Sequence, residues 1–587
     1  MRIKRRGLAA LTVLTAGALL LTGCTGSNSS SKSSGGAGVQ AAYNASVNSV
    51  VNPSTKTGGT LKLLTSADCD SWDPARTYYG WCFNMQRLFS RTLIGYSKVN
   101  GSKFQLAPDL ATDLGKHNKD YTQWTYTLKK GLKYSDGKPI TPADIKYAAE
   151  RIFATDVING GPTFYFIGLI GPTSYKGPYK GGDLSTITTT DDTITFKLSK
   201  PYADFNYLLS LPTLAPVPSG VEGGTGYKGS TYTKKPVSSG PFEISAYTPQ
   251  KSVTFTRNKY WKQSTDTIRK PLVNEVDLTV DTDSNDIDQK LKAGQADARA
   301  EINIGATFQS QVLTQPNLKK NADDPTTPFT RYLVVPSSVV PNKYCREAIQ
   351  YATDKAGLLA VFGGSAAGVV AKSMTPPGIP GYQADYDPYS STANDGGGDV
   401  AKAKAALVKC GKPNGFSTKM AYSTPSETGP KLFQTEKAAL ARVGIKLTQA
   451  TSDASTYYSS FIGSPSNVKS QGLGILVAAW GADFPTAYGF YNSIVNGSAI
   501  LPQGNSNYGS INNKTINSIL DNSLSGSTTD AQWQQLNHTL MEDEASIVPF
   551  IWGKSLYYRN PRMTNVTSNN ALAFGIYDFV NVGVSGS

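Results

Sequence analysis

Gly474-Ile475-Leu476-Val477-Ala478-Ala479-Trp480 is an unbroken apolar run in the C-terminal half of a 587-residue chain. A strand covered on both faces of a parallel sheet is typically a continuous apolar run, whereas a strand with one solvated face alternates apolar and polar residues. From about Tyr332 onward, strand-like and helix-like segments alternate along the chain. This alternation is typical of an α/β fold, so the run is predicted to be a buried strand of an α/β lobe.

The first half of the chain predicts another lobe, richer in strands. Thr60-Leu61-Lys62-Leu63-Leu64 is predicted to be its first strand, and Thr141-Pro142-Ala143-Asp144 begins a helix with a threonine cap and a proline in the first position. About 530 residues remain for folding, too many for one hydrophobic core, so we predict two α/β lobes with the second inserted within the first. The predicted ranges are 58–325 plus 549–587 for lobe I, with an inserted subdomain at about 95–190, and 326–548 for lobe II, with hinges near 325–331 and 546–552.

The N-terminus carries the features of an export signal. Arg2, Lys4, Arg5 and Arg6 precede an apolar segment that is too short to span a bilayer, and the segment ends at Leu21-Thr22-Gly23-Cys24. These last four residues resemble the lipobox of bacterial lipoproteins, whose cysteine is acylated. We predict a signal peptide over 1–23, a lipidated Cys24 and a flexible linker over 24–57, and export to the outer face of the cytoplasmic membrane. The alternative is an ordinary signal with a chance cysteine.

Composition argues against several classes of protein. The net charge of +14 is dispersed, whereas nucleic-acid binding requires a clustered basic stripe and a matching motif. His117 and His538 are the only histidines, which argues against a Ser-His-Asp triad or an HExxH zinc site. Catalysis by a pair of carboxylates is not excluded, but it is a less favoured function for this sequence. No catalytic residue, metal or cofactor is therefore expected.

Four cysteines follow Cys24, and an even number in an exported protein indicates disulfides. Four cysteines allow three pairings. We favour Cys69–Cys82, whose loop is short, and Cys345–Cys410, which fall in one predicted lobe.

Co-linear motifs along nearly all of the chain from Gly58 resemble the extracellular solute-binding proteins, family 5, the oligopeptide- and dipeptide-binding components of ABC importers. The matching segments are 106–111, 126–141, 149–151, 239–242, 257–261, 346–349, 377–382 and 443–445. The resemblance implies a periplasmic-binding-protein-like fold of the large three-subdomain type, with a hinge between its lobes. It also implies an oligopeptide ligand, a permease partner and no enzymatic activity. A monomer is expected.

Residues 480–485 (WGADFP) follow the buried strand, at the edge of an α/β sheet where ligands tend to bind. The resemblance implies that Asp483 pairs with the α-ammonium group of the ligand and that Trp480 borders a side-chain pocket. Backbone at Ala479 and Gly481 is predicted to pair with an extended peptide. The alternative for Asp483 is a cap on the following helix.

Two aromatic clusters are candidates to line pockets that face each other across the cleft, with ordinary packing as the alternative. They are Tyr78, Tyr79 and Trp81 in lobe I, and Tyr488, Phe490 and Tyr491 in lobe II. Two other functions stay open: an oligosaccharide-binding protein on the same scaffold, and a surface hydrolase.

Overall fold

The computed structural model describes residues 40–586 except 100–102, 159, 220–231, 233, 302–303, 427, 454–455 and 569–575. The predicted signal peptide and Cys24 lie outside the described residues. Within the described part of the chain, no helix combines the length and the apolar character that crossing a bilayer requires.

The first lobe is built on a five-stranded sheet. In spatial order its strands are Ala298–Arg299, Thr60–Thr65, Glu275–Val280, Ser252–Arg257 and Phe242–Thr248. Its main helices are Gly80–Phe89, Ser284–Lys292 and Ala306–Thr314. The strand Thr60–Thr65 pairs in parallel with both neighbours.

Part of the predicted linker belongs to this lobe. Ala45–Asn48 is a helical turn, Val51 is fully buried, and the backbone N–H of Val51 donates to the carbonyl of Val566 at 2.9 Å. The prediction of a flexible linker to residue 57 is therefore wrong for this part. The reason is local: the Ser- and Gly-rich composition that favours a coil ends near residue 38, and Val51 supplies apolar surface that the lobe buries.

A separate subdomain is built on a four-stranded antiparallel sheet. Its strands are, in spatial order, Lys116–His117, Gln123–Thr127, Thr193–Lys197 and Ile187–Thr189. The helix Pro142–Arg151 packs against them and begins with the predicted capping box between Thr141 and Asp144. Because Thr193–Lys197 pairs along the whole of Gln123–Thr127, the subdomain extends beyond the predicted limit at 190.

The second lobe is built on a six-stranded sheet. In spatial order its strands are Gly368–Val370, Ile547–Lys554, Thr326–Val334, Leu473–Gly481, Ser417–Thr424 and Lys446–Asp453. Its main helices are Lys343–Ala352, Lys355–Val361, Val400–Lys409, Gly429–Ala441, Pro465–Gln471, Ala487–Val495, Lys514–Ser523 and Asp530–His538. The strand predicted from the apolar run is parallel to Ser417–Thr424 but antiparallel to Thr326–Val334, so the sheet is mixed.

The two crossings between the lobes lie side by side. Ala322–Asp323 pairs with Tyr557–Tyr558, and beyond this point the chain enters and leaves the six-stranded sheet. Since Ile547–Lys554 is a paired strand of that sheet, the predicted boundary at 548/549 and the predicted hinge at 546–552 are both too early. Most of the other predicted hinge, 325–331, also lies in a paired strand, Thr326–Val334. The residues left between strands at the two crossings are 324–325 and 555–556.

Two disulfides stiffen the lobes. Cys69 bonds to Cys82 at the start of the helix Gly80–Phe89, and Cys345 bonds to Cys410 across two helices of lobe II. These are the two pairs that the sequence analysis favoured.

Candidate functional site

The loop after the strand Leu473–Gly481 carries a carboxylate into the space between the lobes. The strand is buried over its first half and becomes half-buried at residues 479–481. The next helix, Ala487–Val495, is capped by Thr486, whose hydroxyl accepts from the N–H of Gly489 at 3.0 Å. Asp483 is therefore not needed as a helix cap, and its carboxylate is available for other contacts.

Three parts of the chain meet at Asp483. The hydroxyl of Tyr78, from lobe I, donates to Oδ2 of Asp483 at 2.9 Å. The hydroxyl of Tyr165, from the subdomain, donates to the same oxygen. The ring of Tyr165 also packs edge-on against Phe484 at 5.6 Å, so the subdomain closes directly onto the loop of lobe II.

The electrostatic environment of Asp483 is unusual for a buried acid. Burial raises the pKa of Asp483 to about 6, and the hydrogen bonds from Tyr165 and Tyr78 only partly offset the increase. Among the residues that the structure describes, no lysine, arginine or histidine forms an ion pair with this carboxylate. The site therefore holds an anion that the protein solvates with two hydroxyls but does not neutralise.

The side chain of Trp480 is held in place by a hydrogen bond to the following helix. Its indole Nε1–H donates to the carbonyl of Phe490 at 2.8 Å, and its backbone lies opposite Thr330 on the neighbouring strand. This bond ties the end of the strand to the helix Ala487–Val495, so Trp480 positions the loop that carries Asp483.

One edge of the strand end is available for backbone pairing. Ala479 and Gly481 lie opposite Arg331 and Phe329 on the antiparallel side. On the parallel side, the ladder with Ser417–Thr424 ends at Leu476, and the hydroxyl of Tyr457 donates to the carbonyl of Val477 at 2.9 Å. Within the described strands, residues 478–481 are therefore paired on one side only. An extended chain beside this edge would continue the sheet.

The aromatic candidates divide into two groups. Tyr78 and Tyr79 are 37% and 54% exposed, and Tyr78 reaches Asp483 from lobe I. Tyr488 lines a hollow of about 410 Å³, together with Phe164, Tyr165 and Tyr202.

Trp81 and Tyr491 are not brought to the site. Trp81 packs in the core of lobe I, and Tyr491 is fully buried, with its hydroxyl bonded to Thr375 and to Asn537. Phe490 is also fully buried. The helical period explains this result: Tyr488 faces the hollow, while the positions after it turn toward the core.

Tyr165 is the functional residue that sequence reasoning missed. It lies in a short 3-10 turn, Thr163–Tyr165, within a Gly- and Pro-rich segment that has no strand or helix periodicity. Only tertiary packing brings it within bonding distance of Asp483, 318 positions later in the chain.

A small cavity of about 50 Å³ lies beside Asp483. Its remaining walls come mostly from one face of the helix Gly80–Phe89 and from Tyr96 and Ser210. Within the described ranges, no three His, Cys, Asp or Glu side chains converge as metal ligands would.

Two α/β lobes joined by paired crossings, with an acidic group held in the cleft, define a two-lobed solute-binding protein. The chain belongs to the bacterial extracellular solute-binding proteins, family 5, whose model (described as family 5 Middle) matches residues 105–501. It is therefore a solute-binding protein of the ABC-importer type, and the predicted family and fold class are confirmed.

Relatives and solved structures agree with this assignment. Heme-binding protein A of Haemophilus influenzae is 24% identical over 99% of this chain and 100% of its own length. Glutathione-binding protein GsiB of Escherichia coli is 26% identical over 62% of this chain and 64% of its own length. The solved structure of clavulanic acid biosynthesis oligopeptide binding protein 2 superposes with a TM-score of 0.87 at 37% identity, covering 93% of this chain and 99% of that one. The ABC transporter-associated periplasmic binding protein DppA from Helicobacter pylori, in complex with the peptide STSA, superposes with a TM-score of 0.67 at 21% identity, over 90% of this chain and 99% of that one.

Proposed function

We propose that this protein is a lipid-anchored extracellular receptor that closes around an oligopeptide and delivers it to an ABC permease. The observation that carries the proposal is the Asp483 carboxylate, which lies between the lobes with two hydroxyl donors and no ion-pair partner among the described residues. A buried carboxylate is costly unless a cation compensates it. The α-ammonium group of a peptide is such a cation.

The backbone around Asp483 supports a peptide over other cations. The free edge at residues 478–481 offers main-chain hydrogen bonds, which do not depend on the side chains of the ligand. The hollow beside Tyr488 gives room for chain beyond the first residue. Charge-assisted bonds at one end and backbone pairing along the chain together favour a peptide with a free N-terminus.

The test is calorimetric titration of the purified mature protein with trialanine and with N-acetyl-trialanine. We expect acetylation to lower the affinity by at least about 30-fold, because leaving one member of a buried charge pair without its partner costs about 2 kcal/mol or more. Equal affinity for the two peptides would contradict the proposal. Native mass spectrometry of material purified under mild conditions would identify the natural ligand directly.

An oligosaccharide is the second candidate ligand. Tyr79 and Phe164 are each 54% exposed near the site, and exposed aromatic rings suit sugar faces as well as peptides. In this case Asp483 would accept from sugar hydroxyls, and binding of cello-oligosaccharides with no response to trialanine would favour it. We infer binding without covalent chemistry in either case, which turnover of any bound candidate by the purified protein would contradict.

The anchor is proposed from Cys24 and the residues before it. Replacing Cys24 with serine is expected to release the protein into the medium, whereas the unchanged protein stays with the membrane fraction. Immunoblotting of the two fractions measures this, and an unchanged distribution would contradict lipidation.

A further inference from the structure

The cavity beside Asp483 is lined by polar groups that have no partner. Gln86 is only 1% exposed, yet neither its Oε1 nor its Nε2 has a hydrogen-bond partner. The Nε of Arg87, next to it, also lacks one. Leaving a buried polar group without a bond costs about 1–3 kcal/mol, so both free atoms of Gln86 need a physical explanation, and a ligand that bonds to them supplies one.

These groups lie on the same helix face. Gly80, Phe83, Gln86 and Ser90 of the helix Gly80–Phe89 and its cap line the cavity, at the spacing of one helical face. Asp483 lines the same cavity from lobe II. A ligand whose ammonium group lies at Asp483 therefore has Gln86 within the same enclosed space.

The size of the cavity fits one side chain. A water needs about 10–15 Å³ of such volume and occupies about 30 Å³ of liquid. The cavity of about 50 Å³ thus has room for roughly four waters, or on the order of 100–150 Å³ of ligand. This is the size of a single amino-acid side chain rather than of a peptide.

The local charges decide which kind of side chain fits. The guanidinium of Arg87 is already paired with Asp578 at 3.1 Å. Arg269, which also lines the cavity, is paired with Asp109 at 2.7 Å and with Asp266 at 3.1 Å. With these cations balanced, a further carboxylate would add uncompensated negative charge beside Asp483. A neutral amide instead offers the donor and the acceptor that match both free atoms of Gln86.

We propose that this cavity takes the side chain of the first residue of the ligand and selects an amide, glutamine or asparagine, at that position. The inference rests on the proposed function, because the Asp483–ammonium pair places the first residue. Gln86 is then a specificity-determining residue.

The test compares three tripeptides, Gln-Ala-Ala, Glu-Ala-Ala and Met-Ala-Ala, by calorimetry on the mature protein and on its Gln86→Met variant. We expect the unchanged protein to bind Gln-Ala-Ala on the order of 30-fold more tightly than the near-isosteric Met-Ala-Ala, as two net hydrogen bonds of about 1 kcal/mol each would give. Glu-Ala-Ala should bind more weakly than Gln-Ala-Ala. In Gln86→Met, the preference for glutamine over methionine should disappear.

A stability measurement separates recognition from a structural role. Because the amide of Gln86 makes no hydrogen bond within the protein, Gln86→Met should leave the thermal unfolding midpoint of the ligand-free protein unchanged or higher. A lower midpoint, or a glutamine preference that survives the substitution, would overturn the inference. N-acetyl-Gln-Ala-Ala serves as the control for the anchor: if acetylation has no effect, the proposed function itself fails, whereas a required free N-terminus without side-chain preference overturns only the cavity proposal.

Discussion

Asp109 is a fully buried carboxylate and Asp483 is a half-buried one between the lobes, and their surroundings are opposite. Asp109 accepts from Arg91 Nε at 2.7 Å and from Arg269 Nη2 at 2.7 Å, and these guanidinium groups hold its pKa well below the usual range despite complete burial. Asp483 receives only tyrosine hydroxyls, and burial raises its pKa to about 6. The protein supplies the counter-charge for one acid and omits it for the other.

The difference separates structural from functional use of the same residue type. At Asp109 the network is complete and joins the helix Gly80–Phe89 region to the segment around Arg269, so it stabilises lobe I. At Asp483 the network is incomplete and lies where the lobes meet. An incomplete buried network at an interface between moving parts is what a ligand with the missing charge would complete.

The largest expected effect is on the stability of lobe I. Asp109→Asn leaves Arg91 and Arg269 buried with one anion fewer, and we expect a loss of about 3–5 kcal/mol in the free energy of unfolding. Urea unfolding followed by tryptophan fluorescence measures this loss. A change below about 1 kcal/mol would show that charge compensation at Asp109 does not stabilise lobe I.

The matched substitution in the cleft should act in the opposite way. Asp483→Asn removes a carboxylate whose burial is uncompensated, so the stability of the ligand-free protein should not decrease. Its affinity for trialanine should fall at least about 30-fold, since the ammonium group loses its anion. Asp204→Asn is the control, because burial also raises the pKa of Asp204 to about 6 but its side chain bonds to Thr486 rather than to the site. An equal loss of affinity in both variants would contradict a specific role of Asp483.

The comparison also predicts a pH dependence of binding. With a pKa of about 6, Asp483 is mostly protonated at pH 5 and mostly ionised at pH 7, while a peptide N-terminus with a pKa near 7.7–8.0 stays charged at both. Affinity for trialanine should therefore rise about tenfold from pH 5 to pH 7. Closure of the lobes without a ligand should depend on pH in the opposite direction to binding. A raised pKa of Asp483 in the closed form means that the closed form is favoured at low pH, and this advantage is lost as the pH rises through 6. Titrations at several pH values should give a flat profile for Asp483→Asn.

The smallest effect should come from Tyr165. Tyr165→Phe removes a hydroxyl that donates to the ionised form of Asp483, so the pKa of Asp483 should rise further and the midpoint of the pH profile should move upward. For a net hydrogen bond of about 1 kcal/mol, affinity should fall by about fivefold at pH 5 and by less than about twofold at pH 7. Tyr207→Phe is the control, because the ring of Tyr207 stacks on Phe484 at 5.9 Å and only its hydroxyl would be lost. Identical losses in the two variants would indicate packing rather than the hydrogen bond.

The parts of the fold that are local in origin were predictable from sequence. The apolar run at 474–480 lies within the strand Leu473–Gly481, and the capping box at Thr141 begins the helix Pro142–Arg151. Strand direction was not predictable in the same way. A continuous apolar run indicates burial on both faces but carries no information on the direction of its neighbours, so it could not predict the antiparallel pairing with Thr326–Val334.

Sequence by itself determined the class of the protein. Caps, turns and apolar periodicity depend on residues that are neighbours in the chain, and a long ordered series of motifs identifies a family. It also pointed to Asp483, since that residue follows a recognisable strand. Tertiary structure alone decided that Tyr165 reaches this carboxylate, that Trp81 and Tyr491 face the core, and that no arginine among the described residues forms an ion pair with Asp483 as Arg91 and Arg269 do with Asp109. The physical reason is that solvation and charge compensation are set by groups hundreds of positions away, and their distances exist only in the folded chain.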